Sequence, residues 1–186
     1  MKLLIDSSSQ FRFVSLFTNN TLIESIVEQG DNDHSKYLLP QIDRLLRNHQ
    51  ITPCDLEAIY VGQGPGSYTG VRIAVTIAKT FATECSIPLF SFDSLALYAS
   101  AFQGMIAVSI PMKKHTVLGA VYDVQDTVDV VHPPHYYPLE EWNQKCGMAR
   151  AIEPFDVRVD VAKLPVHFVE DVIAFGPNYA REWETS

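Results

Sequence analysis

The chain has 186 residues, 47% of them hydrophobic and 19% charged, and a formal net charge of −8 at pH 7. Its 10 Phe, 8 Tyr and 2 Trp, set among many Val, Ile and Leu, supply one sizeable core or two small lobes and exclude a disordered segment. The acidic balance excludes unaided nucleic-acid binding, which needs clustered Lys and Arg.

"KLLID" from Lys2 reads as a buried strand, followed by "FRFVSLF" (Phe11–Phe17), rich in aromatic and β-branched residues. Asn19-Asn20 signals a turn, and "TLIESIV" (Thr21–Val27) gives a third strand of an antiparallel meander. After a loop at Gln29–Asp33, Leu38, Leu39, Ile42, Leu45 and Leu46 share one helical stripe. Pro40 is tolerated near the first turn of that helix and kinks it elsewhere. "EAIYVG" (Glu57–Gly62) is a strand, the glycine-rich turn from Gly62 leads into a second helix, and "IPLFSF" (Ile87–Phe92) is a further strand. "DSLALYASAF" (Asp93–Phe102) is a short helix capped by Asp93 or Ser94.

The order β-β-β-α-β-α-β-α predicts a mixed sheet with helices on its faces. Beyond it, "MIAVSI", "TVLGAVYD" and "TVDVVH" predict three strands, and Pro138–Lys145 a helix. Cys146–Pro165, with Pro154, is irregular; Phe168–Gly176 closes the chain as a strand before a short polar tail. A boundary near residue 103 divides a lobe of residues 1–103 from a smaller lobe of residues 104–186. Cys54, Cys85 and Cys146 are widely spaced with no Cys-x-x-Cys pair, so neither a disulfide framework nor a zinc ribbon is expected, and a reducing compartment fits. Three apolar residues before Asp6 are too few for a signal peptide, and no run approaches the roughly 18 residues of a membrane span. The expectation is a soluble cytoplasmic protein.

"GQGPGSYTGVRIAVTIAKTFA" (Gly62–Ala82) raises the question of a phosphate loop, because glycine turns that open helices bind anions. A P-loop requires a lysine directly after its last glycine, but the first lysine here is Lys79. The dinucleotide fingerprint would take Gly62, Gly64 and a third glycine where Ser67 stands, and the acidic ribose partner is missing. The residues therefore read as structural: Gly62, Gly64 and Gly66 supply backbone angles, Pro65 stiffens the turn, and Ser67 or Thr69 caps the helix. That helix is apolar on more than one side. Val71, Ala74, Ala78 and Phe81 make one face, and Ile73, Ile77 and Thr80 another, with Val75 between; only Arg72 and Lys79 are charged. With the preceding helix it carries surplus apolar surface of the kind a helical interface uses. The second lobe is the other element that could cover it.

"HSKYLLPQIDRLL", "LEAIYVGQGPGSYTGVRIAVTIAKTFA", "IPLFSFDSLALYA" and the opening "LLIDSSS" together resemble the YeaZ-type (TsaB) family of tRNA threonylcarbamoyladenosine biosynthesis proteins. The resemblance covers residues 1 to about 100 and is carried by the long turn Gly62, Gly64, Pro65, Gly66, Ser67, Tyr68, Thr69, Gly70 and Arg72. It implies a two-lobed ribonuclease H-like fold of the actin and sugar-kinase superfamily. It also implies a non-catalytic relative of TsaD, the subunit that transfers threonylcarbamoyl to adenosine 37 of tRNA. Such proteins pair with TsaD through the first two helices, also self-associate there, and are joined by the ATPase TsaE; tRNA is reached only indirectly. On this reading the partner interface comprises Leu38, Leu39, Ile42, Leu45, Leu46, Val71, Arg72, Ile73, Val75 and Ile77. No cofactor is implied, with ATP or ADP at most at a complex interface. The second half departs from the family: Pro111-Met112 stands where Asp-Ala is expected, and "AFGPNYA" only loosely matches a late glycine motif. The chain also stops earlier than is typical.

TsaD-like proteins carry His-x-x-x-His on a helix, but His34 is followed by Leu38 and His49 by Pro53. His132 and His135 flank two prolines that forbid a helix, and His115 and His167 read as surface residues. Asp6 stands where actin-like enzymes place a magnesium-linked carboxylate, and Ser7 and Ser8 could approach phosphate; these are vestigial candidates, and their plainer reading is a polar turn. No G-x-S-x-G elbow supports a serine hydrolase. Lys113-Lys114-His115 is the one basic cluster of the second half and reads as a solvated loop, or a graze on tRNA phosphate within a complex. Three functions remain: a scaffold for a TsaD-like subunit, a divergent actin-like ATPase built on Asp6, and a homodimer acting without TsaD.

Overall fold

The computed structural model describes residues 1–30, 34–152 and 159–180. The meander is β1 (Lys2–Asp6), β2 (Phe11–Thr18) and β3 (Thr21–Gln29), its second turn made by Asn19 and Asn20, both at positive φ, as two-residue hairpin turns require. Helix α1 (His34–Asn48), β4 (Ala58–Gly62), α2 (Tyr68–Cys85), β5 (Leu89–Phe92) and α3 (Ser94–Ala99) follow. The second half contributes β6 (Gly104–Pro111), β7 (Thr116–Val124), β8 (Val128–Pro138), α4 (Leu139–Cys146), β9 (Arg150–Ile152) and β10 (His167–Phe168). Pro40 is the seventh residue of α1, and the helix continues through it.

Two sheets result, ordered β10-β5-β4-β1-β2-β3 and β8-β7-β6-β9. In the first, β1 is parallel to β4 and β4 to β5, and the meander is antiparallel. Strand alternation sends alternate residues to opposite faces. Leu3, Ile5, Val14 and Leu16 pack with Leu38, Ile42 and Leu45 of α1 and Val71, Ala74 and Ala78 of α2. Leu4, Phe13, Phe17 and Tyr60 share the opposite interior with α3 and with Ile106, Val108, Leu118 and Tyr122 of the second sheet. Trp142 of α4 closes the far face of that sheet against Ala107, Val117 and Val121.

Four expectations change. The predicted strand Phe168–Gly176 ends after Phe168, because the Asp171 carboxylate accepts the N–H groups of Ile173 and Ala174, and its carbonyl that of Phe175, closing a turn. The two residues of β10 pair with β5, so this stretch, although beyond residue 103, joins the first sheet. Strand β8 starts one residue after the predicted Thr127, outruns His132 and passes through Pro133-Pro134. It is an edge strand, where prolines cost no ladder bonds, and a bulge lies there: His132 faces Val121 while His135 faces Gly119. Within Cys146–Pro165, β9 adds a short parallel strand on β6, and Pro154 lies outside the described residues, as do Asp33 of the first loop and the final tail.

The fourth concerns the cysteines. Cys54 and Cys85 form a disulfide with Cα atoms 4.9 Å apart, and Cys146 is free. A single 3-10 turn, Pro53–Asp55, carries Cys54 to the last residue of α2. A sequence separation of 31 residues hides that contact.

Candidate functional site

The glycine turn is built against the connection between β1 and β2. Only Gly64 uses a glycine-specific angle, φ +96°; Gly62 and Gly66 are required by close approach instead, which corrects the expectation of three special angles. A Cβ at Gly62 would run into Asp6 Oδ2 and stand 2.6 Å from Ser94 Oγ, and one at Gly66 would meet the Ser8 backbone. Gly70 likewise packs on the Ser7 carbonyl. Ser67 is the α2 cap, its Oγ accepting from Gly70 N at 3.2 Å, while Thr69 is an exposed residue of the first helical turn.

Hydrogen bonds tie this helix start to the β1–β2 connection. Ser67 N donates to Ser8 O at 2.6 Å, Val71 N to Ser67 O at 2.9 Å, and Ser7 Oγ to Gly70 O at 2.8 Å. Asp6 is fully buried with Ser7 and Ser8. Its carboxylate accepts from Ser8 N at 3.0 Å, Ser8 Oγ at 2.8 Å, Ser94 Oγ at 2.6 Å and Tyr98 OH at 3.4 Å. Ser94 Oγ in turn accepts from Gly64 N at 3.0 Å. Burial pushes the Asp6 carboxyl above its ordinary range against these hydrogen bonds. Asp6, Ser7 and Ser8 are thus buried and hold the turn.

Beside this cluster lies a pair the sequence reading missed. Asp93 caps α3 by accepting from Leu95 N at 2.8 Å, and its other oxygen accepts from Tyr122 OH of β7 at 2.6 Å. Burial raises the Asp93 carboxyl to about 6. The N-cap role was legible in the sequence; the tyrosine, 29 residues on, was not.

The interface residues expected on the two helices separate into two groups. Leu38, Ile42, Leu45 and Val71 are 0% exposed, and Leu46 and Val75 nearly so. All six belong to the molecule's own core against the sheet, although Ile42 and Leu46 also reach the wall of a groove. Leu39 is 48% exposed, Arg72 is exposed, and Ile73 and Ile77 are half-buried. Arg72 donates to Tyr68 OH at 3.2 Å, and Tyr68 stacks on Tyr179. The surplus on α2 is covered partly by the chain's end. Lys79 Nζ donates to the carbonyls of Ile173 at 2.7 Å and Phe175 at 2.6 Å, Val172 and Phe175 pack on the helix core, and Asn178 N donates to Gln63 O at 2.7 Å.

What stays open is a groove of about 650 Å³ lined by Leu39, Pro40, Leu46, Ile51, Pro53 and Phe81, with Asp43 and Arg47 among its polar groups. Those two pair with each other at 2.9 Å. Ile51 and Pro53 were not singled out as site residues in the sequence, whereas Phe81 was visible as part of an apolar face. Of the histidines, His132 and His135 lie on edge strand β8, with the His135 ring edge-on to Tyr137. Exposed Lys113, Lys114 and His115 form the β6–β7 turn, and His167 is exposed on β10. Among the described residues no helix is long and apolar enough to cross a membrane.

The mixed sheet, the helix-opening turn packed on the first strand's end and the second smaller sheet define an actin-like, ribonuclease H-like protein. Solved structures agree. YeaZ from Pseudomonas aeruginosa superposes with a TM-score of 0.67 at 25% identity, over 74% of this chain and 67% of that one. A protein described as uncharacterized with similarity to the peptidase YeaZ from the same organism gives a TM-score of 0.77 at 21% identity, over 97% and 99%. The family model for TsaD, tRNA N6-adenosine threonylcarbamoyltransferase, matches residues 22–172. The chain belongs to this family, in its TsaB/YeaZ branch. The tRNA threonylcarbamoyladenosine biosynthesis protein TsaB of Bacillus subtilis is 33% identical over 75% of this chain and 63% of its own length. The Escherichia coli TsaB is 30% identical over 52% and 42%. The chain spans less than two thirds of the length of these curated relatives.

Proposed function

We propose that this chain is a non-catalytic scaffold in tRNA threonylcarbamoyladenosine formation, docking a TsaD-like transferase on the open edge of α1 and α2. The observation that carries the proposal is the apolar groove beside exposed Leu39: an accessible hydrophobic slot on a helix pair is where a partner helix gains most from burial. The kinship of this chain with the TsaD family supports a partner of the same fold. The engagement of Asp6 by four donors supports a role without chemistry of its own, in which any ATP or ADP sits at a complex interface. tRNA would be reached through the partner, consistent with the net charge of −8, in the cytoplasm; a TsaE-like ATPase completes the assembly, and a homodimer competes for the same edge.

The test is co-purification with the TsaD-like subunit of the same source. Leu39→Asp, at the groove, should abolish the complex and leave the circular dichroism melt unchanged. Leu45→Asp, which puts a carboxylate into the core, should instead unfold the first lobe. A Leu39→Asp protein that still binds its partner as the wild type does would overturn the docking reading.

A further inference from the structure

The Cys54–Cys85 disulfide joins two segments whose neighbouring residues line the groove. Thr52 and Pro53, on the N-terminal side of Cys54, line the groove from the 3-10 turn; Phe81, one helical turn before Cys85, lines it from α2. The turn is held together internally, by Asp55 accepting from Thr52 N at 2.8 Å and Thr52 Oγ1 at 2.7 Å. Ile51 is fastened to the end of α1 through Leu46 O at 3.1 Å. The disulfide ties that turn covalently to the end of α2. Cys54 is exposed and Cys85 half-buried, so a small thiol reaches the bond.

We propose that this disulfide is a reversible redox clamp that sets the shape of the groove, and that the oxidised chain is the form that docks the partner. The inference rests on the docking reading above and names its regulation. The reductant is a dithiol. One of its sulfurs attacks a protein sulfur, breaking the Cys54–Cys85 bond and forming a mixed disulfide; its second thiol then closes on the first. The products are two protein thiols, which have gained two electrons and two protons, and the reductant's cyclic disulfide. Reduction frees the turn carrying Pro53 from α2 and lets the groove wall move. Re-ordering roughly two side chains on docking then weakens the complex on the order of tenfold. Linkage makes the effect reciprocal: a partner that prefers the oxidised form tenfold lowers the midpoint potential of the pair by about 30 mV.

The experiment uses the full chain carrying Cys146→Ser, which leaves only the paired cysteines. It is equilibrated in oxidised and reduced dithiothreitol buffers, and the Kd for the TsaD-like subunit is measured by calorimetry. The expected result is a Kd about tenfold higher in the reduced buffer, reproduced in both buffers by Cys54→Ser. A Kd within twofold across buffers overturns the clamp, as does non-reducing peptide mapping that finds Cys54 and Cys85 unlinked in the oxidised protein. Hydrogen exchange at the Ile51 and Leu56 amides, read on the chain alone, should quicken on reduction, and unchanged exchange also overturns it. Absence of binding in both buffers instead overturns the docking reading, and the regulation with it.

Discussion

Gly62→Ala is the most incisive single change for the turn. The added methyl would collide with Asp6 Oδ2 and press on Ser94 Oγ at 2.6 Å, at a point where both partners are fully buried. Neither can retreat into solvent. Asp6 is held by four donors, and Ser94 is held between Asp6 and the amide of Gly64. Overpacking of this kind costs about 1–3 kcal/mol, and losing the Ser94–Asp6 hydrogen bond adds about 1–3 kcal/mol for a buried acceptor left short of a donor. Stiffening of the unfolded chain by alanine returns about 0.4–1 kcal/mol. The net expectation is a loss of about 3 kcal/mol, or about 6–12 °C in Tm for a chain of this size. Urea unfolding followed by far-ultraviolet circular dichroism gives the number. Gly176→Ala is the control, since nothing lies within 4 Å of its Cβ position, and should shift stability by less than about 0.5 kcal/mol. A Gly62→Ala loss below about 1 kcal/mol would refute the claim that the Asp6 cluster is a closed, rigid seat for the turn.

Asp93, raised from 3.8 to about 6 by burial, holds a proton in the folded protein that the unfolded chain has released. Stability is therefore greatest below the ordinary value and falls as pH rises from 3.8 to about 6, by about 3 kcal/mol. Asp93→Asn, which keeps an acceptor for Leu95 N, should flatten that slope in urea titrations between pH 4 and 7; an unchanged slope would exclude Asp93 as its source. Ser67→Ala should cost about 1 kcal/mol as a lost cap, and Thr69→Ala less than about 0.5 kcal/mol; equal losses would contradict the cap assignment. Lys79→Ala removes both carbonyl contacts of the chain's end, and the Phe175 amide should then exchange faster with no change at the buried β4 amides.

The first hundred residues were legible because their signals are local. Alternation marks β1 and β2, Asn19-Asn20 marks the hairpin, and Ser67 and Asp93 occupy positions where a side-chain oxygen satisfies an orphan helix N–H. The second half relied on the same signals and lost them where a non-local partner decides. Asp171 ends a strand through its own side chain, an edge position lets β8 run through two prolines, and β10 exists only because β5 offers it an edge. The glycines show the same division. The φ of Gly64 follows from the turn, whereas Gly62 and Gly66 answer to Asp6 and Ser8, more than fifty residues earlier in the chain.

Apolar periodicity reports how many faces of a helix are greasy but not which element covers them. On α1 and α2 most of the stripe meets the sheet, which places Leu38, Leu45 and Val71 in the core, and the chain's end covers part of the rest through Lys79 and Phe175. Of the residues expected at an interface, Leu39, Arg72, Ile73 and Ile77 are the ones that remain accessible. The same packing gives the glycine turn a structural task. Ser7 and Ser8 bring a hydroxyl and a carbonyl to the helix start. In that place they bind the turn to β1 and thereby fix the direction in which α2 leaves the sheet. A rigid α2 presents Phe81 at a set distance from Leu39, and the groove between them keeps its width.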